Sequence, residues 1–558
     1  MRNFRKKLLR SINQICVKSG IALVAVMGMM GQAIGQVTPQ AEGTRTEITV
    51  TETANTTNID ITGGQHSSDG ANLFHTFEQF DIDADQSARF ITAPDVQNVL
   101  SIITGGPSTI DGLLQVLGSQ ADLYLVNPSG ILFGPNAQLN LPGSLSATTA
   151  TGVGFDNRWL SLLGSPSQTV DYTRFVGQPT AFDFSSGASG GVVNLGDLTL
   201  GAGQSLSLTG STVVNTGSLN APSGTITLTA VEGGQLVRIG QGDQLLSLEV
   251  SPEIIPQNNR LGQKDTIAAP TLGELLTGGS TAPIDTLVEN ADGTVSLVST
   301  GTVIPEQGGT TVVSGELSVA GETGGDINIF GSQVAVFEST LSAVGTQGGG
   351  ALRMGGDAQG TGIAPRARQT YVGSGVVLDV DAMHKGDGGE IYIWSDEATN
   401  FYGSLSARGG YLGGNGGFAD ISGRHGLVYR GEVDLSAPQG ENGTLLFDPS
   451  FITIKNGDGT NTPATPSLPE ILTTFFNSGT SFTLYEETLE EISPGTDIIL
   501  EATVDIVIED LLDDVLLLQP GNSLRIQADV NDSGTGGFYI DRGDTIRATG
   551  GTVQNIAG

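Results

Sequence analysis

The chain has 558 residues, of which 82 are glycine, 6% are aromatic and 15% are charged. Large core-forming side chains are therefore scarce and turn-forming residues are frequent, which excludes a series of ordinary globular domains and favours a repetitive β-structure. The formal net charge is −35. Because so acidic a surface repels phosphate backbones and anionic lipid, we expect neither nucleic-acid binding nor docking to a lipid surface.

Residues 1–35 have the order of features that is typical of a signal peptide. Six basic residues precede an apolar run over residues 21–30, and small residues follow at Ala33 and Gly35. The run is shorter than the roughly 20 residues that span a bilayer, so cleavage after Gly35 is predicted rather than anchoring. Cleavage would leave 18 basic residues against 59 acidic ones, a formal charge of −41.

Cys16 is the single cysteine of the chain, and it lies ahead of the apolar run of the signal peptide. A lipoprotein cysteine would follow that run, so no lipid anchor is expected. The mature chain would contain no cysteine, which suits a protein that crosses an oxidising compartment unfolded.

Residues 44–90 contain four runs of alternating polar and apolar residues, which predict half-buried strands. One run ends in Asp81, Asp83 and Asp85, whose alternation in a strand would direct all three carboxylates to one face. An EF-hand loop would also need a glycine at its sixth position and a glutamate at its twelfth. Both are missing, so a solvated strand face is the interpretation and no metal site is expected.

Residues 98–150 consist of short apolar strands that alternate with turns rich in Gly, Pro, Asn and Ser. The triplets 124–126 and 131–133 flank Asn127-Pro128-Ser129-Gly130, in which proline fixes one turn dihedral and glycine can take a positive φ. The pattern predicts consecutive coils of a β-structure joined by a sharp turn.

The sequence LYLVNPSGILFGPNAQLNLPGSLSATTA, with NVLSIITGG upstream, resembles the secretion domain of filamentous-haemagglutinin-type exoproteins, the passengers of two-partner secretion. Two residues depart from the family pattern: Ser129 replaces an asparagine, and Ile102 stands where related sequences carry arginine. The resemblance implies a right-handed parallel β-helix whose first coil is capped with the help of residues 71–82. It also implies export through a cognate outer-membrane β-barrel transporter that recognises the unfolded domain, and a secretion motif at Asn98, Asn127, Pro128 and Gly130.

Repetition is clearest in the second half of the chain. Units that begin at Gly388, Gly416 and Gly443 are 28 and 27 residues apart, and each reads as Gly-Gly, strand, turn, strand, Leu-Ser-Ala and a glycine-rich turn. Each unit is expected to form one three-sided coil, and roughly 20 coils stacked at about 4.8 Å would form a rod on the order of 100 Å long, less any excursions.

The fold class predicted from these patterns is all-β, a right-handed parallel β-helix with N-terminal capping strands. The segments expected are a signal peptide, a secretion domain, an excursion, β-helix repeats, a linker and a second, smaller solenoid segment, which belongs either to a short family member or to a truncated reading frame. Short helices are compatible with residues 271–276 and with parts of 468–491. The signal peptide is predicted at residues 1–35, the secretion domain at 36–250 and the excursion at 251–293. The β-helix repeats are predicted at 294–454, the linker at 455–480 and the last solenoid segment at 481–558.

Catalytic chemistry is not indicated. Ser189 lies in a G-x-S-x-G match that arises easily by chance in a glycine-rich chain. The lysines of the mature chain are isolated, and Arg366 and Arg368 are expected in a loop without partner carboxylates. The nearest approaches to a polar site are Asp387 with Glu390 and Asp420 with Arg424 and His425, which solvated coil faces explain. Neither a metal nor a cofactor is expected, because the histidines of the chain and the lysines of the mature chain are scattered along the sequence. They are His66, His75, His384, His425, Lys264, Lys385 and Lys455.

The function that follows is a secreted, non-enzymatic surface exoprotein with a β-helical stalk that acts as an adhesin or a coat and binds a ligand of unspecified kind on host cells or surfaces. Two alternatives stay open. A parallel β-helix can carry a polysaccharide lyase or hydrolase, and a stalk of this kind can deliver a toxin whose effector end lies elsewhere.

Overall fold

A computed structural model describes residues 36–238, 309–457 and 482–557, apart from short gaps at 42, 55, 157, 163–169, 185–189, 533 and 535. Between residues 239 and 308 it describes four short strands alone. The predicted signal peptide, Ser189, Lys264, residues 271–276 and residues 468–481 lie outside the described residues.

The first face of the molecule is a sheet of 16 strands. Apart from the strands Val37–Pro39 and Gln65–His66, which pair antiparallel with Asn72–Phe80, its members run parallel to one another. In sheet order the parallel members are Asn72–Phe80, Asn98–Ile103, Asp122–Val126, Leu145–Thr148, Ser205–Gly210, Thr225–Ala230, Asp326–Phe330, Ala351–Met354, Glu390–Ile393, Phe418–Ile421, Gly443–Phe447, Thr496–Ala502, Leu524–Ala528 and Val553–Ala557.

The second face is a sheet of 13 parallel strands, most of which follow a first-face strand along the chain. In sheet order they are Ser108–Ile110, Ile131–Phe133, Val192–Asn194, Thr212–Asn215, Thr310–Val313, Gln333–Val336, Gln369–Val372, Ala398–Phe401, Leu427–Tyr429, Phe482–Tyr485, Ile452–Lys455, Ile506–Ile508 and Phe538–Ile540.

The third face closes the triangle with three shorter sheets of five, seven and two strands. The first contains Thr46–Glu52, Thr57–Gly63, Gln86–Ile91, Leu113–Leu117 and Gln138–Asn140. The second contains Asp197–Thr199, Ser218–Asn220, Glu316–Ser318, Thr340–Ser342, Val377–Asp379, Ser404–Ser406 and Glu432–Asp434, and the third contains Val515–Leu518 and Thr545–Ala548.

The chain is therefore a three-sided parallel β-helix, and the predicted fold class is confirmed. The estimate of roughly 20 coils was too high: the described residues supply 14 parallel strands to the first face, which at about 4.8 Å per coil gives a rod of about 60 Å. The difference arises because long stretches of chain leave the coil. After Thr225–Ala230 the first face continues directly at Asp326–Phe330, nearly a hundred residues later.

The core is a narrow column of stacked aliphatic side chains. On the third face the pairing register aligns one inward residue from each of seven consecutive strands, and all seven are buried. The residues that flank each of them on its strand point outward and are more exposed. The column consists of Leu198, Leu219, Leu317, Leu341, Leu378, Leu405 and Val433.

The N-terminal cap differs from the expectation. Asn72–Phe80, at the centre of residues 71–82, is the first parallel strand of the first face rather than its cap. Its free edge is covered by Val37–Pro39, and the third face begins with Thr46–Glu52 paired antiparallel to Thr57–Gly63. Antiparallel strands can do this because they reach the edge by a short return of the chain, with no further coil required.

An antiparallel sheet of five strands lies outside the coils, and we call it the outer lobe. Its order is Arg158–Ser161, Gly152–Phe155, Ala181–Asp183, Gln235–Arg238 and Ser247–Val250. A 3-10 turn, Tyr172–Arg174, belongs to the same region. Further along, Leu287–Glu289, Val295–Leu297 and Thr302–Ile304 form a separate antiparallel sheet.

The C-terminal segment, which the sequence predicts as a further and smaller solenoid segment, adds coils to the same β-helix. Thr496–Ala502 pairs in parallel with Gly443–Phe447, so the first face continues without a break. After Ile452–Lys455 the chain returns and inserts Phe482–Tyr485 between that strand and Leu427–Tyr429. A helix of five residues, Glu486–Glu490, follows. The described part of the chain holds no helix whose length and apolarity would carry it across a bilayer.

The leucine column generates the first prediction. Leu378 is fully buried in the column, whereas its neighbour Val377 on the same strand is 44% exposed. Leu378→Ala should therefore reduce the free energy of unfolding by about 2–5 kcal/mol, because it removes buried methylene groups and leaves a cavity between two coils. Val377→Ala should change it by less than about 0.5 kcal/mol. Urea denaturation followed by circular dichroism measures both, and equal effects would contradict the inward register.

His75 is a buried titratable group beneath the N-terminal cap. The side chain is fully buried and lies against the Phe90 ring at a centroid distance of 5.6 Å. Its Nδ1 lies 3.1 Å from the Thr46 hydroxyl, and its Nε2 has no hydrogen-bond partner. Burial, with a smaller contribution from His66, lowers the pKa of His75 to about 3.

Acid should therefore loosen the cap. Since His75 binds a proton more readily in the unfolded than in the folded chain, its contribution to stability is complete above pH 6.5 and falls as the pH drops below that value. Between pH 7 and pH 5 the loss should be about 2 kcal/mol. Hydrogen exchange of residues 72–80 measures it locally. His75→Leu should remove this dependence, whereas His425→Gln, at an exposed position, should retain it.

Candidate functional site

The turn at residues 127–130 is held by its own backbone and by one side chain. It follows the strand Asp122–Val126 and precedes Ile131–Phe133. The N–H of Gly130 donates to the carbonyl of Asn127 at 3.1 Å, and Gly130 adopts a φ of 125°. The side-chain oxygen of Asn127 accepts from the N–H of Ser129 at 2.9 Å, the local bond that asparagine characteristically makes in turns.

Side chains of the turn also bind the preceding coil. The Asn127 amide donates to the carbonyl of Gly106 at 3.0 Å and to the Ser108 hydroxyl at 2.9 Å. The Ser129 hydroxyl donates to the carbonyl of Gly105 at 2.7 Å. The positive φ falls on Gly130 and not on Ser129, so serine has no strained dihedral to adopt at this position.

The following coil covers the turn from the other side. The N–H of Gly190 donates to the carbonyl of Pro128 at 2.7 Å. A Cβ atom on Gly190 would lie only 2.5 Å from the carbonyl oxygen of Ser129, so this approach requires glycine. As a result Asn127 is 0% and Ser129 5% exposed. In the folded domain the turn is an internal corner between two coils and is closed to a partner.

Asn98 occupies a second buried position, at the start of the strand Asn98–Ile103. It is 1% exposed, and its amide donates to the side-chain oxygen of Asn72 at 2.8 Å. Asn72 donates in turn to the carbonyls of Phe175 and Gly177 at 2.8 and 2.7 Å. The side-chain oxygen of Asn98 has no partner. Asn98 thus links two coils and, through Asn72, ties them to the segment that carries the outer lobe.

The structure does not bring the predicted motif residues into one pocket. Asn98 stands opposite Asp122 at the start of paired strands, and Ile102 stands opposite Val126 at their end, one residue before Asn127. At about 3.3 Å per residue, Asn98 and Asn127 are therefore roughly 16 Å apart. Asn98 and Asn127 therefore stabilise two separate corners of the coil and do not form one binding site.

The outer lobe was missed by the sequence reasoning. It buries the outward side of the first coils in an apolar cluster of its own, to which the first face contributes Phe74, Leu100, Ile102, Tyr124 and Val126. Burial raises the pKa of Tyr124. A signal was present in the sequence, because residues 99–103 and 123–126 are nearly continuous apolar runs, which are typical of strands that are buried on both sides. Ile102 fits this cluster, where a charged residue would be buried.

The run Asp81, Asp83 and Asp85 is not a strand face. It forms a corner between Asn72–Phe80 and Gln86–Ile91, so the strand interpretation was wrong. The Asp81 carboxylate accepts from the N–H of Thr109 at 2.8 Å and from the Gln79 amide at 2.8 Å. Burial raises the pKa of Asp81.

The expectation that Arg366 and Arg368 lack partner carboxylates was also wrong. Arg366 lies 3.6 Å from Asp396 and Arg368 lies 3.8 Å from Glu232. Both carboxylates lie more than 25 residues away along the chain, and the stacking of coils brings them close.

The polar groups of the enzyme hypothesis lie in different surroundings. Asp387 and Glu390 are exposed, which agrees with solvated coil faces. Asp420 is 1% exposed, so that interpretation was wrong for this residue, whereas Arg424 and His425 are exposed at the next turn. Asp420 points outward from its strand and is covered by a distant loop, which the sequence pattern did not indicate.

One group of carboxylates in the described part of the chain could hold a metal ion. Oxygen atoms of Asp510, Asp514 and Asp544 lie within 4.8 Å of one another at the C-terminal coils. Two of the three residues are exposed, and the Asp544 carboxylate already accepts from the N–H of Leu511 at 3.1 Å. Hydrated carboxylates at this spacing are common on an acidic surface.

Comparison with known proteins gives a family for the N-terminal half. The sequence model of the TPS secretion domain matches residues 35–269. Among curated proteins none matches the chain. The HMW1 secretion domain of Haemophilus influenzae is a similar solved structure, with 16% identity, a TM-score of 0.40, and coverage of 93% of this chain and 100% of that one. A filamentous hemagglutinin secretion domain has 13% identity, a TM-score of 0.26, and coverage of 72% and 96%.

The family match covers the N-terminal coils, the outer lobe and the Asn127–Gly130 turn described above. Residues 35–269 belong to the TPS secretion domain family, and the chain is a two-partner-secretion exoprotein that carries this domain ahead of its remaining β-helical coils.

Proposed function

We propose that the chain is a non-enzymatic adhesin or surface stalk that a cognate outer-membrane β-barrel transporter exports and that binds a surface ligand through its coils. The observation that carries the export route is the secretion domain at residues 35–269. Residues 1–35 act as the signal peptide that delivers the chain to the periplasm, and no cysteine of the mature chain can be trapped as a disulfide there.

The transporter recognises the domain before it folds. Asn127 and Asn98 are 0% and 1% exposed in the folded domain, so a partner can reach them only in the unfolded chain. We infer that Asn98, Asn127, Pro128 and Gly130 are read in this state and are then buried as the coils stack. Because the same residues close a corner between coils, folding outside the cell removes the recognition signal and opposes return of the chain.

The coils beyond the secretion domain form the stalk. The first face passes from Thr225–Ala230 to Asp326–Phe330 by parallel pairing, which supports one continuous rod. We therefore place the boundary between the secretion domain and the stalk within the excursion at residues 251–293. The outward residues of the stalk and its acidic charge are suited to contact with surfaces of opposite charge.

Export tests the proposal. Asn127→Ala removes two hydrogen bonds to the preceding coil and the bond that shapes the turn, and Gly130→Val places a β-branched residue at a positive φ, which costs on the order of 1–3 kcal/mol. The double variant should lower the extracellular fraction at least several-fold, while the signal peptide is still cleaved. Quantitative immunoblots of medium and periplasm measure the ratio.

A control separates recognition from stability. Leu378→Ala should destabilise the stalk by a similar amount but lies far from the motif. If Leu378→Ala is exported like the parent protein and the turn variant is not, the turn acts in recognition. Equal export of the turn variant and the parent, with a lowered melting temperature of the variant, would limit these residues to closing a coil.

A further inference from the structure

A segment of the stalk leaves the coil and lies across the outer side of the first face. Residues 355–368 connect the strands Ala351–Met354 and Gln369–Val372 and contain the 3-10 turn Ala358–Gly360. We call these residues the strap. The strap packs on Trp394, which is 6% exposed, and a Cβ atom on Gly360 would lie 2.3 Å from the indole ring.

Gln359 joins the middle of the strap to carboxylates of the first face, while Arg366 and Arg368 near its end lie 3.6 Å from Asp396 and 3.8 Å from Glu232. The backbone N–H of Gln359 donates to Asp420 at 2.8 Å, and its side-chain amide donates to Glu501 at 3.3 Å. The same side chain also opposes the rise in the pKa of Asp448. Gln359 adopts a φ of 52°, a conformation that is uncommon for residues other than glycine and is sustained here by these contacts.

The three carboxylates belong to three consecutive coils. Asp420 lies on the strand Phe418–Ile421, Asp448 follows Gly443–Phe447 directly, and Glu501 lies on Thr496–Ala502. These strands are neighbours in the first face. Gln359 therefore joins the strap to the first and third of these coils by hydrogen bonds, and all three carboxylates can lose a proton.

The surroundings of these carboxylates contain few compensating charges. Ser422 donates its hydroxyl to Asp420 and accepts from the N–H of Asp448 at 3.0 Å. Arg525 lies 3.7 Å from Glu501 and is 40% exposed. At the start of the strap, Arg353 is occupied by Asp326 at 2.9 Å and Asp357 at 3.6 Å.

Proton binding by Asp420 and Asp448 is thereby coupled to closure of the strap. Burial, opposed by the hydrogen bonds from Ser422 and Gln359, raises the pKa of Asp420 to about 6. Burial and the charges of Asp420 and Glu501 raise the pKa of Asp448 to about 7. Release of the strap would admit water and return both values toward 3.8, so the closed state binds protons more tightly. Its advantage is complete in acid and is lost as the pH rises through 7.

We propose that residues 355–368 form a pH-dependent strap, which is clipped over Trp394 by Gln359 in mild acid and detaches from the first face as the surroundings become neutral to alkaline. Detachment uncovers an indole ring and a row of carboxylates on the outside of the stalk. The strap lies outside residues 35–269, so this device is independent of export.

Trp394 reports the state of the strap in the full-length protein. The chain has two tryptophans, and Trp159→Phe leaves Trp394 as the single indole. Acrylamide quenching of this variant should be weak at pH 5 and strong at pH 8, and amide exchange of Gln359, corrected for its intrinsic pH dependence, should follow the same curve. The opening constant should rise by up to about tenfold per pH unit for each proton released. Equal protection at pH 5 and pH 8 would overturn the proposal.

Variants assign the effect to the clip. Asp448→Asn cannot ionise, so the change in quenching between pH 5 and pH 8 should become smaller, whereas Glu441→Gln, at an exposed carboxylate, should behave like the parent. Gln359→Ala should raise quenching already at pH 5. Asp448→Asn with the full pH dependence of the parent, or Gln359→Ala with unchanged protection, would overturn the proposal.

Discussion

Parallel backbone pairing from coil to coil is the constraint on which the rest of the structure depends. Most strands of the second and third faces have three or four residues, too few to bury an apolar face alone. Each becomes stable only when the coils above and below complete its hydrogen bonds and cover its inward side chain. The leucine column of the third face is the direct product, because one residue in each coil meets its equivalents in the next.

The same constraint is compatible with the proposed double role of the Asn127–Gly130 turn in export and in folding. In the unfolded chain Asn127 and Gly130 are an exposed turn sequence, and in the folded domain they are enclosed between Gly105–Gly106 and Gly190. Since the coil must close tightly at this corner, the motif is accessible or folded but not both. A corner of the β-helix is therefore a suitable place for a signal that should act once.

Segments that leave the coil return to the outer side of the first face in two chemically different ways. The outer lobe is held by an apolar cluster that includes Phe74, Phe155 and Phe175, and pH has no direct effect on such contacts. The strap at residues 355–368 is held through Gln359 to carboxylates. The attachment of the strap therefore depends on protonation of these carboxylates. A change of pH can release the strap but not the outer lobe.

The sequence by itself determined the fold class and the position of the Asn127–Gly130 turn. Short apolar runs, glycine-rich corners and the 27- to 28-residue repeat are local features, and local features are sufficient where each coil contacts its neighbours alone. Tertiary structure alone decided the number of coils, the outer lobe, the continuity of the C-terminal coils and the partners of Asp420 and Arg368. These depend on residues from 60 to more than 130 positions apart, such as Gln359 with Asp420 and Arg368 with Glu232, and no periodic pattern encodes which excursion returns to which coil.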